Sequence, residues 1–579
     1  MKFWRRALRH CRTMPEWGVR SITVLITASS CMLLETALWP ESDMAAPPGP
    51  TGGASLPTPT PMLAAVTAQH PTPAPLFADR VPTEVVEAIS SEPTEVAEAV
   101  SQVPEGFPPL ATYAAGLRPE FQSMLTDLSH LTRYDMSVRI FPERRVLEGK
   151  AVIALRNNSA DAWSSIVFRL PANHPRMHTD MHLDAVQVDG RPVQYVLSPS
   201  ATVAALPLAA PLEPGRWVRV ELAWHLHYGQ LSNEDVHVRN GANQDMINLP
   251  HFYPELAVHA PGAPGTNAEG WWIQAIPSYT DIRFHDTVLM TVAATAPAEL
   301  VLVGSGTPVQ EEAVADGHTR RQWVTGPVRG FVLQASPLYR IAGLDVDGVR
   351  VQSFYHAADE TVALRALDQA AQALAFFSEV WMPYPYTHLT LVSSPLRETA
   401  MEYSNLIQIG IARYRDHPFD TAFAVTHEVA HQWIYLLVHN DPVHHPGLDE
   451  GLAELSYVYM MEAIDQDFSG AQFIAYWRYL HEGFGDEFAG DDPWWLDQPH
   501  RNFDHYHATH YRRPAVLLGE MWLDIGNEAF TDRLRRYLGQ HRFGVAAPAH
   551  LIEAFRDSAP EEQLAELEES LRTSAVPAR

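Results

Sequence analysis

The sequence predicts a multidomain chain in which a β-rich N-terminal domain precedes an α/β, mostly helical domain, and three observations carry that prediction. From Tyr134 to about Arg340, short runs such as Tyr134-Asp135-Met136-Ser137-Val138-Arg139-Ile140 and Val218-Arg219-Val220-Glu221-Leu222 alternate apolar with polar residues and are broken by Pro and Gly, the period of half-buried strands. From about Val349 the pattern changes, and Thr361 to Trp381 is rich in Ala and Leu at helical spacing. Before either region, Pro40 to about Pro109 is dominated by Pro, Ala, Thr, Gly and Glu, a composition too poor in apolar side chains to offset its ordering entropy.

The elements follow in order. Residues 1–39 read as a signal or membrane-anchor segment: the chain's one basic cluster, Lys2, Arg5, Arg6, Arg9, Arg12 and Arg20, precedes the apolar run from Ser21 to Ala28 and then Met32-Leu33-Leu34, the order of an export leader. Ala28-Ser29-Ser30-Cys31 loosely resembles a lipoprotein box, which would lipidate Cys31. Cleavage after a small residue and retention as an anchor are equally open, and every variant places the rest of the chain outside the cytoplasm, on the cell surface or secreted. Residues 40–116 are expected to be a Pro-rich disordered linker. At ~6 Å times the square root of its length, such a coil spans roughly 50 Å. Residues 117–345 are the predicted β-rich domain and 346–579 the predicted catalytic domain. Within the latter, Leu389 to Val392 is a short strand, a helix from about Asp420 to Asn440 carries the principal motif, and Glu561 to Arg572 is a last amphipathic helix.

Charge and cysteine use exclude several classes. A net charge of −28 argues against nucleic acid and against a broad anionic membrane footprint, since both demand clustered Lys and Arg. Membrane contact is therefore expected through the N-terminal segment only. Both cysteines, Cys11 and Cys31, lie in the leader, so the folded part has no disulfide and no thiolate metal site.

The motif that decides the chemistry is His427-Glu428-Val429-Ala430-His431, followed by Glu450 in Leu448-Asp449-Glu450-Gly451-Leu452-Ala453-Glu454. Residues four apart on a helix share a face, so His427 and His431 can converge on one metal with Glu428 beside them. Two neutral imidazoles and a carboxylate suit Zn²⁺, and three protein ligands leave a fourth position for water. His427, His431 and Glu450 are the candidate ligands of one zinc per chain, and Glu428 the candidate base that takes the water's proton. Glu454, one turn beyond Glu450, is the candidate hydrogen-bond acceptor for the outer nitrogen of a ligand histidine. A purely structural helix would not place these groups on its packed side, where unpaired polar atoms are costly. His444, His445 and the group His500, His505, His507 and His510 have no comparable ligand spacing and read as loop histidines.

These residues resemble the M1 gluzincin metallopeptidases, commonly aminopeptidases. The eighteen residues from Gln432 through Asp449 match the family's gap between H-E-x-x-H and its ligand glutamate, Asp449-Glu450-Gly451-Leu452-Ala453 matches the segment around that glutamate, and His431-Gln432-Trp433 matches its H-Q-W. Thr399-Ala400-Met401-Glu402-Tyr403 resembles the G-x-M-E-N strand, so Glu402 inherits the role of binding a substrate's free α-amine. His510-Tyr511-Arg512-Arg513 occupies the place of the segment whose tyrosine stabilises the oxyanion, which falls to Tyr511, with Tyr506 its nearest rival. The resemblance also implies a saddle-like β domain, including Pro250-His251-Phe252-Tyr253-Pro254 and Gly270-Trp271-Trp272, and a thermolysin-like catalytic domain.

Together these imply a zinc-dependent metallopeptidase acting on peptides, an aminopeptidase by resemblance. Thr399 and Tyr403 stand where the family has Gly and Asn, and Arg513 and Pro514 where it has Lys and Gly. The altered strand leaves an endopeptidase as the first alternative, and a non-catalytic surface binding protein on the same fold as the second. About 130 residues follow Glu450, which leads to the expectation of no C-terminal helical superhelix domain and of a more open site. Oligomeric state is not legible in the sequence.

Overall fold

The computed structural model describes residues 103–231, 240–275, 283–396, 400–410, 421–483 and 506–572, all within one compact unit. The predicted leader, the lipoprotein-like Cys31 and nearly all of the predicted linker lie outside the described residues. The linker's predicted end is too late. Leu110–Gly116 already forms a 3₁₀ turn with Tyr113 buried, and a Cβ on Gly116 would fall 2.3 Å from the Gly326 nitrogen. One aromatic ring and one close backbone contact tie down a segment whose average composition reads as coil.

The N-terminal region is built on an eight-stranded sheet. Its strands are β1 (Thr132–Phe141), β2 (Val146–Arg156), β3 (Thr179–Val188), β4 (Arg191–Pro192), β5 (Trp217–Tyr228), β6 (Val288–Pro297), β7 (Thr307–Val314) and β8 (His318–Val324), in the order β7-β8-β6-β1-β2-β5-β3-β4. Along β1, Met136, Val138 and Ile140 are buried while Asp135, Ser137 and Arg139 are exposed, the alternation expected of a sheet with one packed face. Two four-stranded sheets complete this region. Phe252, Tyr253, Trp271 and Trp272, from the two aromatic segments singled out in the sequence, are buried.

A five-stranded sheet begins the second region: β9 (Tyr339–Val346), β10 (Val349–His356), β11 (His388–Ser394), β12 (Ala400–Tyr403) and β13 (Leu406–Gly410), ordered β9-β10-β11-β13-β12. β10, β11 and β13 run parallel, whereas β12 pairs antiparallel with β13 and forms the sheet's edge. The predicted division at residue 345 cuts the β9–β10 hairpin, whose strands pair in full from Tyr339↔His356 to Val346↔Val349. Strand alternation looks the same on both sides of that point, and only pairing assigns β9 to its sheet.

Helices pack beside this sheet. They are α1 (Glu360–Val380), α2 (Thr421–Ala430), α3 (Gly447–Ile464), α4 (Gly470–Gly483), α5 (Arg513–Ile525), α6 (Asn527–His541), α7 (Pro548–Phe555) and α8 (Glu561–Leu571). Those predicted over Thr361 to Trp381 and Glu561 to Arg572 form within a residue of expectation. The motif helix is shorter than predicted. α2 ends at Ala430, and 431–440 continue as turns in which every residue is buried; the predicted start, Asp420, lies outside the described residues. The apolar spacing of Ile434, Leu437 and Val438 suggested more helix because residues buried on all sides carry no diagnostic period.

That turn segment is fastened to the N-terminal region. The Arg329 guanidinium donates to the carbonyls of His285 at 2.7 Å, Leu436 at 3.2 Å and Gly544 at 2.6 Å. Trp272 donates its indole N–H to Asp441 at 3.1 Å, and the His285 backbone N–H donates to His439 Nε2 at 3.2 Å. Among the described residues no helix is long and apolar enough to cross a membrane.

Candidate metal centre

α2 and α3 present their polar residues to each other. His431 N–H still bonds the His427 carbonyl at 3.2 Å, so the two rings stay one turn apart on one face although the helix ends between them. Their Nε2 atoms are 3.0 Å apart, and Glu450 Oε2 from α3 lies 3.2 Å from the first and 3.4 Å from the second. Among the described residues this is the one group of three metal-type donors within 4.8 Å of one another. Side-chain exposure is 10% for His427, 1% for His431 and 14% for Glu450.

The donor set fits a zinc ion. Bonds of about 2.1 Å in a tetrahedron separate neighbouring ligands by about 3.4 Å, close to the spacings here. Each ring also has its outer nitrogen engaged: His427 Nδ1 faces Glu454 Oε2 at 3.4 Å, and His431 Nδ1 bonds the Ile434 carbonyl at 3.2 Å. Protons on the outer nitrogens leave two Nε2 lone pairs pointing at each other and at a carboxylate, an arrangement that only positive charge stabilises. The electrostatics agree. Burial alone lowers the pKa of His427, yet its hydrogen bonds to Glu450 and Glu454 bring it up to about 10, and the bond to Glu450 raises that of His431 against the same burial. For Glu450, burial works against the charge, but the two imidazoles hold its carboxyl far below the ordinary range.

The remaining predicted residues gather around this trio. Glu428 is 7% exposed, and its charge contributes to the upward shifts of both histidines. Glu402, 6% exposed, stands on edge strand β12, where its partner is Ile407. Tyr511 donates its hydroxyl to Glu450 Oε1 at 2.5 Å and stacks on His427 at 6.0 Å between centroids. Burial, then Glu450 and Tyr506, raise its pKa well above the phenol value, with Glu402 adding to the effect. Tyr511 is therefore a protonated donor, while the ring of Tyr506 lies 6.1 Å away.

Local sequence explains these positions. Tyr511 lies in a π-helical turn, Ala508–Arg512, just before α5, an irregularity that rotates a side chain off the regular helix face. Pro514 is the second residue of α5, directly after the π-helical turn. It packs against α3 so closely that a Cβ on Gly451 would come within 2.6 Å of it. The proline that stands in place of the family's Gly thus packs α5 against α3. In H-Q-W, Gln432 accepts from the Asn405 N–H at 3.0 Å and donates to the Tyr403 carbonyl at 3.1 Å, which ties the Glu402 hairpin to the end of α2. Trp433 is buried, with its N–H on the Met382 carbonyl at 2.7 Å.

Two readings of the other histidines change. His507 and His510 are helical and π-helical residues rather than loop residues, because the aromatic contacts of this stretch order it. His507 stacks on Tyr511 at 4.6 Å, and desolvation lowers its pKa to about 4, so the ring is neutral. The i, i+4 spacing of His507 and Tyr511 is the signal that marks this contact. His444 pairs with Asp441 at 2.8 Å, away from the trio. His500, His505 and Thr399 lie outside the described residues.

Fold and site together have the layout of a zinc hydrolase centre: a histidine pair at the end of one helix, a glutamate from the next, and a carboxylate on the edge strand. Comparison with known proteins agrees. Residues 365–570 match the model of the peptidase family M1 domain. Aminopeptidase M1-A of Oryza sativa subsp. japonica is 26% identical over 308 residues, covering 47% of this chain and 33% of the rice protein. Aminopeptidase 2 of Candida albicans is 25% identical over 309 residues, covering 50% and 33%. The chain thus spans a third of the length of these curated relatives. An M1 zinc metallopeptidase from Deinococcus radiodurans has a similar fold, with a TM-score of 0.58 at 20% identity over 77% of this chain and 95% of that one. A mutant of that protein has been solved bound to a Tyr-Ser-Ala substrate. Over residues 365–570 this chain is thus similar to the peptidase family M1 domain.

Proposed function

We propose that this protein is a zinc-dependent aminopeptidase that removes N-terminal residues from peptides. The observation that carries the proposal is the meeting of a His427-His431-Glu450 trio with the buried carboxylates of Glu428 and Glu402. Zinc held by the trio would supply Lewis acidity, acidifying water and polarising a peptide carbonyl.

The chain's own residues account for the remaining work. Glu428 takes the proton of the attacking water and passes it to the departing amine. Tyr511, kept protonated by burial and neighbouring carboxylates, donates its hydroxyl to the oxygen that becomes negative. Glu402 meets the substrate's α-ammonium as a charge-assisted acceptor, which selects free N-termini. Glu454 holds His427 with Nε2 facing the site. The relatives named as aminopeptidases and the neighbour bound to Tyr-Ser-Ala support peptides as the substrate class. The basic and apolar leader supports a location outside the cytoplasm.

The test compares Ala-, Leu-, Arg- and Lys-aminoacyl fluorogenic amides with their N-terminally blocked counterparts. Cleavage of free amides alone is expected. Cleavage of blocked ones would make the protein an endopeptidase and remove Glu402 from its role, and zinc uptake without turnover of either would favour a binding protein.

A further inference from the structure

Just beyond the metal trio, Tyr435 has a φ of 88°, farther into the left-handed region than any other described non-glycine residue, the rest lying between 46° and 64°. For a bulky buried side chain this backbone is a clear outlier, and such strain persists only where surroundings impose it. The surroundings are specific. The Tyr435 N–H donates to the Val438 carbonyl at 2.7 Å, its own carbonyl accepts from His439 Nδ1 at 2.7 Å, and its hydroxyl donates to the Arg283 carbonyl. The ring is 1% exposed and stands edge-on to His431 at 6.2 Å.

The peptide linking Ile434 to Tyr435 is planar, so the Tyr435 N–H and the Ile434 carbonyl point in opposite directions. With the N–H on Val438, the carbonyl faces His431 Nδ1, which it meets at 3.2 Å. That bond fixes the proton on Nδ1 and leaves Nε2 to face the site. We propose that Tyr435 is a positioning residue for His431: its enforced left-handed backbone, anchored through the Arg283 carbonyl, aims the Ile434 carbonyl at the ligand ring. The inference rests on the reading of His427, His431 and Glu450 as a zinc site. It also gives the N-terminal region a hand in metal binding, since Arg283 precedes β6.

The test is the zinc dissociation constant of the full chain, measured by chelator competition at fixed pH. Tyr435→Ala removes the ring and its anchor but keeps the β-carbon that disfavours φ of 88°, and zinc binding should weaken about 10- to 100-fold, the usual effect of losing an outer partner of a ligand histidine. Tyr435→Gly loses the same ring but accepts this backbone, and should stay within about threefold of wild type. Equal losses in Ala and Gly would assign the effect to ring packing and overturn the proposal, as would an undiminished affinity in Ala. If far-UV circular dichroism shows that the alanine chain does not fold, Tyr435→Phe decides. It loses only the bond to Arg283, so a weakening of about threefold or more supports the proposal and an unchanged affinity overturns it. A folded wild-type chain that takes up no zinc would instead overturn the metal-site reading beneath it.

Discussion

Among the described residues, the histidines and carboxylates on the eight-stranded sheet and those at the ends of α2 and α3 differ in whether their donor atoms converge on one point. On the face of the eight-stranded sheet, His182 on β3 is the cross-strand partner of His225 on β5, and Asp180 that of His227. The rings of His182 and His225 stack at 5.1 Å, but His182 turns to Asp180 at 2.8 Å and His225 to Asp184 at 2.7 Å. Each imidazole takes a private carboxylate. At the ends of α2 and α3 three donor atoms share one point. The side chains of His182 and Asp180 are 56% and 65% exposed, whereas those of His427 and His431 are 10% and 1% exposed. On the sheet, water solvates whatever the pairs leave unsatisfied, so nothing forces convergence. In the buried site unsatisfied polar atoms are costly, which favours convergence on one cation.

Removing a ligand tests this contrast most directly. His431→Ala should abolish stoichiometric zinc binding and all turnover, whereas His182→Ala with His225→Ala should leave zinc content unchanged; metal analysis after dialysis reads both. A sheet double variant that lost zinc would break the comparison. Glu428→Gln should retain the metal and lower kcat by roughly 10²- to 10⁴-fold, the usual worth of a positioned base. Tyr511→Phe should lower kcat about 10²- to 10³-fold with little change in KM, since its hydroxyl acts on charge present only in the transition state. Glu454→Ala should weaken zinc about 10- to 100-fold without removing any ligand. The smallest effect belongs to the sheet: Asp184→Asn should change unfolding free energy by under about 1 kcal/mol, because exposed ion pairs contribute little.

Much of the site was legible because its chemistry is local. His427 and His431 are set by one helical turn, and Glu450 by a fixed gap to the next helix. Glu402 and Tyr511 were reached through resemblance, since neither strand nor π-turn carries a residue pattern of its own. What escaped depends on contacts between distant segments. The end of α2 at Ala430 follows from bonds made by Arg329 and Arg283, more than a hundred positions earlier. The place of β9 follows from pairing, and the order of Leu110–Gly116 from one buried tyrosine. In the sequence Pro514 is legible only as a departure from the family's Gly. Only the approach of α5 to α3 reveals what the proline packs against.

That approach has a mechanical consequence. Gly451 has no side chain of its own, yet with Pro514 pressed on it, α3 and α5 act as one bracket carrying Glu450 on one arm and Tyr511 on the other. A single methyl group at 451 would wedge the arms apart, because a proline ring in a helix's first turn has no rotamer with which to yield. The distance between Glu450 and Tyr511 is therefore set by the thickness of a hydrogen atom, and random mutagenesis should find position 451 as intolerant as the positions of the trio.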